Sequence, residues 1–309
     1  MNQGNMPLSR LEPADVAAAA RLSAVVGWNQ NEADWERLVT LHPEGAFAVR
    51  DEDGLVGTAT LVRYGDRLAW LGMVIVAPER RGEGLGAALI DRALAAAVPG
   101  STVGLDATDL GAPLYLRRGF VSVGSVQRWA GVLVPVAADV GSDGVARQAE
   151  PADLDSLATF DIAACGVDRR PLLARLLAEP ATSVWVVQRG GAPVAYAALR
   201  SGRERLHVGP VVSADTAALT AVMNGVASAA GSSGVFVDVL VGRPAAPARG
   251  QAAPAGAARE WPAGFGLHPV RTLSRMAWPA PGVQGAQPDW RAGVLMGPSL
   301  AAATGLEWG

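Results

Sequence analysis

One stretch constrains the fold more than any other. The apolar run Leu71-Gly72-Met73-Val74-Ile75-Val76 stops at Pro78, passes through Glu79-Arg80-Arg81-Gly82-Glu83-Gly84, and continues as an apolar-periodic helix from Leu85. Proline has no N–H to give to a ladder and closes the strand. A strand that feeds directly into a helix needs one sheet on which both bury their apolar faces, and this predicts an α/β (α+β) arrangement. The runs Ala46–Arg50, Leu55–Arg63 and Leu68–Val76 are separated by Asp51-Glu52-Asp53-Gly54 and Tyr64-Gly65-Asp66, turn sequences that predict an antiparallel meander. Ahead of the meander, Pro13-Ala14-Asp15 opens an alanine-rich helix and Asn31 caps a second over Glu32–Leu41. After it come a helix near Leu85–Val98, a strand Thr102–Ala107, a short helix around Ala112–Arg118 and a β stretch from Phe120 to about Val134. The unit is therefore a mixed, mostly antiparallel central sheet flanked by helices.

The same order then recurs. Pro151-Ala152-Asp153 answers Pro13-Ala14-Asp15, and Gly266-Leu267 with Arg275 answers Gly119-Phe120 with Arg128, each Arg nine residues after its Gly. Between the anchors lie an Asp168-capped helix, strands Ser183–Gln188, Val194–Arg200 and Leu206–Val212, a helix Ala214–Ala230 and a strand Val235–Val241. The expected division is a first domain over 1–134, a linker over 135–144 and a diverged copy over 145–309, with a mobile Ala/Pro/Gly/Arg loop near 242–263.

Composition narrows the chemistry. Every one of the 26 Lys+Arg residues is Arg. Without lysine there is no Schiff base, no pyridoxal-phosphate anchor and no Walker-type phosphate lysine. A net charge of −3 gives no general attraction to nucleic acid or to an anionic membrane. No uncharged apolar run approaches the roughly 20 residues that span a bilayer, and no secretory h-region is legible, so a cytoplasmic protein is expected. The lone Cys165 reads as a small buried apolar residue, and His42, His207 and His268 show no metal-ligand spacing, so no metal is expected.

The loop itself points to an anion. Glycines at 82, 84 and 86 let backbone N–H groups turn inward, and the following helix N-terminus adds unpaired donors and a positive dipole end. Lacking a Lys-Ser/Thr pair and the Gly-x-Gly-x-x-Gly spacing, the loop fits a pyrophosphate without bound metal. Arg81-x-x-Gly84-x-Gly86 after a Val-x-Val-x-Pro strand, followed by Leu114-Tyr115-Leu116-Arg117-Arg118-Gly119-Phe120, resembles the GNAT superfamily of acetyl-CoA-dependent N-acetyltransferases. More faintly, the whole chain is similar to tandem members with a diverged second copy.

The resemblance implies two GNAT-like domains and acetyl-CoA as co-substrate. The backbone of Val74, Ile75 and Val76 would pair with the pantetheine arm. The N–H groups of Arg81, Gly82, Glu83, Gly84, Leu85, Gly86 and Ala87 would hold the pyrophosphate, and one near Val74 the thioester oxygen. Tyr115 stands where the family places a hydroxyl near the thioester sulfur. The family often has Asn seven residues before that tyrosine and Ala three after the Asn; here the positions are Thr108 and Gly111, and Thr108 keeps a hydroxyl for the cofactor. An alkylamine of pKa near 10.4 must lose a proton before it attacks. Asp106 is the first candidate base, with Glu83 and Asp109 behind it, and Asp106 has an equal claim as a structural residue. Trp28, Asn29 and Gln30 are the candidate acceptor wall, or equally a packed Trp with a polar cap. In the second copy the chain runs from Val212 through Ser213 straight into the helix, with no Arg/Gly loop and no motif tyrosine. That copy is expected to shape the pocket without binding acetyl-CoA. The expected function is transfer of an acetyl group to a primary amine, with a small-molecule acceptor and a monomer or homodimer. The alternative is a non-catalytic acyl-CoA-binding sensor, which would have no need of Tyr115.

Overall fold

The computed structural model of the chain describes residues 8–137, 144–242, 260–278 and 300–302. Its first half contains β1 (Leu8–Arg10), α1 (Val16–Val25), α2 (Glu32–Leu41), β2 (Ala46–Asp51), β3 (Gly54–Tyr64), β4 (Leu68–Val76), α3 (Leu85–Ala95), β5 (Thr102–Ala107), α4 (Ala112–Leu116) and β6 (Val121–Val132). The second half repeats the order with β7 (Arg147–Gln148), α5 (Leu154–Cys165), α6 (Arg170–Ala178), β8 (Thr182–Arg189), β9 (Ala192–Arg200), β10 (Leu206–Ser213), α7 (Thr216–Ala230), β11 (Gly234–Gly242), α8 (Trp261–Gly264) and β12 (His268–Trp278). A short β13 (Leu300–Ala302) follows.

The local chemistry behind these elements is visible in their caps. The Asn31 side chain accepts from the Asp34 N–H while Asp34 accepts from the Asn31 N–H, a reciprocal box that fixes the start of α2. Both Pro-Ala-Asp anchors form a turn of 3-10 helix closed by the same kind of box, Glu12 with Asp15 and Glu150 with Asp153. The expected helix Ala214–Ala230 instead starts at Thr216, because Asp215 turns its side chain onto the Ala218 N–H. Of the stretch expected as a mobile loop over 242–263, residues 243–259 lie outside the described residues. Its end is helical, since Trp261–Gly264 form α8 with Pro262 buried. Most of the 135–144 linker also lies outside the described residues.

The sheet does not break between the halves. Its order is β1-β2-β3-β4-β5-β12-β6-β11-β10-β9-β8-β7, with β13 on β10. The last long strand of each half crosses over: β12 lies against β5, and β6 lies against β11. Along these crossings Arg275 stands opposite Asp106 and Arg128 opposite Asp238. Each pair is a buried two-pronged bridge, at 2.9 and 2.8 Å for Arg275–Asp106 and 2.7 and 2.6 Å for Arg128–Asp238. Planar forks satisfying both carboxylate oxygens make such pairs specific for register. The core follows the same logic. Trp35 and Phe47 of the first half belong to one buried cluster with Leu157, Leu172 and Tyr196 of the second, and a further cluster lies under α7.

Candidate active site

Strand β4 is built to open. Against β3 it pairs Gly57 with Val76 and Thr58 with Ile75, then resumes at Thr60 with Gly72, so one extra residue is accommodated at Met73-Val74. Met73 is the one described non-glycine residue with positive φ, at 52°. A side chain in that region costs on the order of 1–3 kcal/mol, which the surrounding structure must offset. Here Thr58 Oγ1 donates to the Met73 carbonyl at 2.9 Å, and the Met73 side chain is buried. On its other flank β4 pairs in parallel with β5 only over Leu68–Trp70. Beyond Trp70 the two strands part, while β5 keeps its pairing with β12 on the far side through Asp106 and Ala107.

The parting is a cleft. It is lined by Trp28, Gln30, Leu71, Gly72, Met73, Val74, Asp106, Thr108, Gly111, Tyr115, Arg271 and Leu273. Trp28, Gln30, Val74, Asp106, Thr108 and Tyr115, singled out in the sequence, are thus brought together. Ile75 turns its side chain into the core and leaves only backbone for the cleft side. Asn29 is spent elsewhere. Its Oδ1 accepts from the Glu204 and Arg205 N–H groups and its Nδ2 donates to the Arg205 carbonyl, so it clamps the halves together instead of forming an acceptor wall.

At the outer end of β4 the chain makes the expected loop. Gly82 and Gly84 have φ of 86° and 83°, and a Cβ at either would meet nothing within 4 Å, so backbone conformation and not space requires glycine there. Gly84 is the N-cap of α3 and offers no side chain, leaving the first N–H groups of that helix open. Arg80 is engaged by Asp51 and Glu83, which holds the loop and removes Glu83 from consideration as a base. Among the described residues, the Arg81 guanidinium has only a long 3.4 Å contact from Nε to the Val76 carbonyl.

Tyr115 is 9% exposed, and no hydrogen bond engages its hydroxyl among the described residues. Burial pushes its pKa well above the ordinary value against the pull of Arg118, so the phenol keeps its proton at neutral pH. The departure at Gly111 now has a reason: a Cβ there would lie 3.2 Å from Tyr115 Cε2 and 3.4 Å from Thr108 Oγ1. Thr108 in turn accepts from the Gly111 N–H through Oγ1 at 3.2 Å, setting the turn into α4. Arg118 ties α4 to α3 through Asp91 and the Ala87 carbonyl.

Asp106 needs correcting as a base. Its side chain is 0% exposed and both oxygens accept from Arg275, so the residue presents backbone, not carboxylate, to the cleft. Burial pushes its carboxyl up and Arg275 draws it back down. The pair holds the Arg275 guanidinium 4.6 Å over the Trp70 ring, a cation–π contact in the core. Asp109 is exposed and outside the cleft lining. Cys165 is buried but not merely apolar: Arg169 donates to its sulfur at 3.0 Å beside Asp161, and burial pushes the thiol up to about 12. Among the described residues no cluster of His, Cys, Asp and Glu would hold a metal.

The second half has the same scaffold with different ends. β10 pairs in parallel with β11 over Leu206–Val208, and the segment beyond is met by β13, which pairs Val211 with Ala302 and Val212 with Leu300. The N-terminus of α7 is closed by the Asp215 carboxylate. Arg271 and Leu273, missed in the sequence, enter the cleft of the first half on β12. An Arg on an alternating strand carries no local sign that its strand crosses into the other half.

Two models of the GNAT acetyltransferase domain match the chain, over residues 42–122 and 157–260. The uncharacterized N-acetyltransferase YitH of Bacillus subtilis is 26% identical over 215 residues, covering 68% of this chain and 75% of its own. A protein of Pyrococcus horikoshii described as a candidate acetyltransferase superposes with a TM-score of 0.76 at 15% identity, covering 100% of this chain and 98% of its own. A tandem GNAT protein from the clavulanic acid biosynthesis pathway superposes with a TM-score of 0.60 at 14% identity, covering 89% of this chain and 98% of its own. Fold and family together define an acyltransferase. The chain belongs to the GNAT acetyltransferases and carries two such domains in tandem. Members of that family in general draw the acetyl group from acetyl-CoA. Among the described residues no helix is long and apolar enough to cross a membrane.

Proposed function

We propose that the first half transfers the acetyl group of acetyl-CoA directly to the primary amine of a small molecule, and that the second half shapes the acceptor side of the cleft. The observation that carries this reading is the parted β4–β5 pair, with Met73-Val74 outside the β3–β4 register at its centre, the open α3 N-terminus at one end and Tyr115 in its wall. Acetyl-CoA supplies a thioester, whose carbonyl carbon is open to attack by a neutral amine. The residues present suit it: among the described residues no strand pairs with Val74–Val76 on the β5 side, which leaves room for an extended arm, and the N–H groups from Arg81 to Ala87 suit a pyrophosphate.

The reaction forms a C–N bond and breaks the C–S bond, so charge moves to the carbonyl oxygen and then to sulfur. A backbone N–H of the Met73-Val74 bulge is suited to the first and the Tyr115 hydroxyl to the second. A thiol has a pKa near 8.5 and this phenol lies above its ordinary value of about 10, so full proton transfer to sulfur is uphill. Tyr115 therefore acts by donating a hydrogen bond to the leaving thiolate, and the amine proton leaves through water, since the Asp106 carboxylate is sealed behind β5. Only one half suits the donor, because α7 is closed by its own carboxylate and β13 lies on the matching segment of β10.

Thiol release from acetyl-CoA over a panel of primary amines tests the reading. Tyr115→Phe is expected to lower kcat about 10–1000-fold while the KM for acetyl-CoA shifts little, since a donor to a charge that develops only during reaction is lost. Equal turnover by the Phe variant would remove Tyr115 from the chemistry. A wild-type protein that binds CoA but acetylates no amine would overturn the transferase assignment.

A further inference from the structure

We propose that Arg271 selects an acceptor bearing a carboxylate, so that the substrate is an amino-acid-like amine; the proposal rests on reading the cleft as an N-acetyltransferase site. Arg271 lines the cleft beside Tyr115, Trp28 and Gln30, and it also lines a neighbouring open depression with Arg205 and Phe236. Its side chain thus stands at the seam between the reacting end and the solvent side.

The charges around that seam can be counted. In the cleft, Asp106 is closed by Arg275; in the depression, Arg128 is paired with the fully buried Asp238, and Glu204 is paired with Arg203. Arg271 and Arg205 remain. No hydrogen bond or ion pair engages the guanidinium of either among the described residues, and the Arg271 Nε is buried without a partner. Arg205 rests over the Phe236 ring at 5.5 Å and lines only the depression, which leaves Arg271 as the cation in the lining of the cleft that holds Tyr115. Burial and the neighbouring Arg128 push the Arg271 pKa down to about 10 against the more distant pull of Asp238, so it is cationic at neutral pH and its guanidinium has no carboxylate within hydrogen-bonding reach among the described residues. A planar fork matches a carboxylate through two parallel N–H donors. Arg271 is the one guanidinium in the lining of the cleft, and one such fork takes one carboxylate. Because β12 comes from the second half, this is also the means by which that half would set specificity.

The test uses glycine, β-alanine and 4-aminobutyrate, each against its own amide, with thiol release as readout. The quantity compared is the acid-to-amide ratio of kcat/KM in wild type divided by that in Arg271→Gln, which cancels the different amine basicities within a pair. A quotient of about 10–100, arising from a higher KM for the acid in the variant, is expected from losing charge-assisted hydrogen bonds. Arg271→Lys, which keeps the charge and loses the fork, should fall between, and both variants should unfold as cooperatively as wild type. An unchanged ratio for every pair overturns the proposal. Calorimetry of the same pairs on the CoA-loaded protein separates the two levels of argument. If no amine is acetylated but acids bind better than amides and Arg271→Gln abolishes the difference, carboxylate recognition stands and the transferase reading falls. If acids and amides bind alike in wild type, carboxylate recognition falls whether or not amines are acetylated.

Discussion

At the scale of single residues, the buried charges beneath the sheet are arranged so that one of them resists protonation. His207 at the start of β10 is 6% exposed, its Nε2 has no hydrogen-bond partner, and the nearest carboxylate oxygen, on Asp238, is 4.0 Å away. Burial pushes its pKa down to about 3, with Arg200 and Arg128 pushing the same way and Asp238 and Asp34 opposing. The unfolded chain takes up a proton near pH 6.5 and the folded one does not. The stability contributed by neutral His207 is therefore complete above pH 6.5 and lost as pH falls towards 3, at up to about 1.4 kcal/mol per pH unit. His42, pushed down to about 4 by burial and Arg63, adds to the same window. The lowered carboxylates Asp34, Asp161 and Asp238 contribute stability that is complete above their ordinary value of 3.8 and is lost only as pH falls below it, outside the range from pH 7 to about 4.5 in which the histidines act. Urea midpoints between pH 7 and 4.5 should fall steeply in wild type and less steeply in His207→Gln. Equal slopes would mean that His207 is not the buried neutral group.

At the scale of elements, the two equivalent helices of the halves make a controlled comparison. α3 begins at Gly84 with its N–H groups open, and α7 begins at Asp215 with a carboxylate folded over them. Gly84→Ala tests backbone conformation alone, because the new Cβ meets nothing but must adopt φ near 83°, at a cost of about 1–2 kcal/mol. Gly84→Asp adds to this the arrangement seen at α7, a carboxylate competing for the donors that a pyrophosphate would use. Calorimetry with CoA should give roughly tenfold weaker binding for the Ala variant and at least 100-fold weaker for the Asp variant. Equal losses in the two would show that the open donors are not the binding site. Much of this level was legible in the residues. The Asn31 cap, the hairpin turns, the stop at Pro78 and the glycine loop are local signals, because each needs only a few neighbouring residues to decide the backbone. The bulge at Met73 was not legible, since it arises where β3 and β4 shift register and is held by Thr58, fifteen residues away. Asp106 was legible as a buried strand residue beside the cleft but not as the partner of Arg275, 169 residues further on.

At the scale of the whole molecule, the weak repeat acquires a physical meaning. The two arginines that made its second anchor, Arg128 and Arg275, are the ones that reach across to Asp238 and Asp106. The spacing was preserved in the sequence; the exchange of strands that explains it was not, because nothing local says which half a strand will join. The exchange also couples the halves in stability. Without residues 145–309, β5 and β6 would lack β12 between them, and β6 would lose its pairing from Gly234↔Val132 to Gly242↔Gly124. One edge of β5 and both edges of β6 would be left with open N–H and C=O groups, and Arg128 would be left without its Asp238 carboxylate. The Asn29 clamp and the buried Asp34–Arg200 bridge would go with them. A chain of residues 1–137 is therefore expected to be aggregated, or to pair its open edges with a second copy, when followed by sedimentation. In the full chain, Asp238→Asn should cost about 3–5 kcal/mol by stranding a buried guanidinium, whereas Arg128→Met with Asp238→Leu should recover much of it. Chemical unfolding of the single and double variants measures this directly. A monomeric 1–137 with cooperative unfolding like that of the full chain would show that the first half folds by itself, and that the strand exchange is a docking of finished domains instead of a shared core.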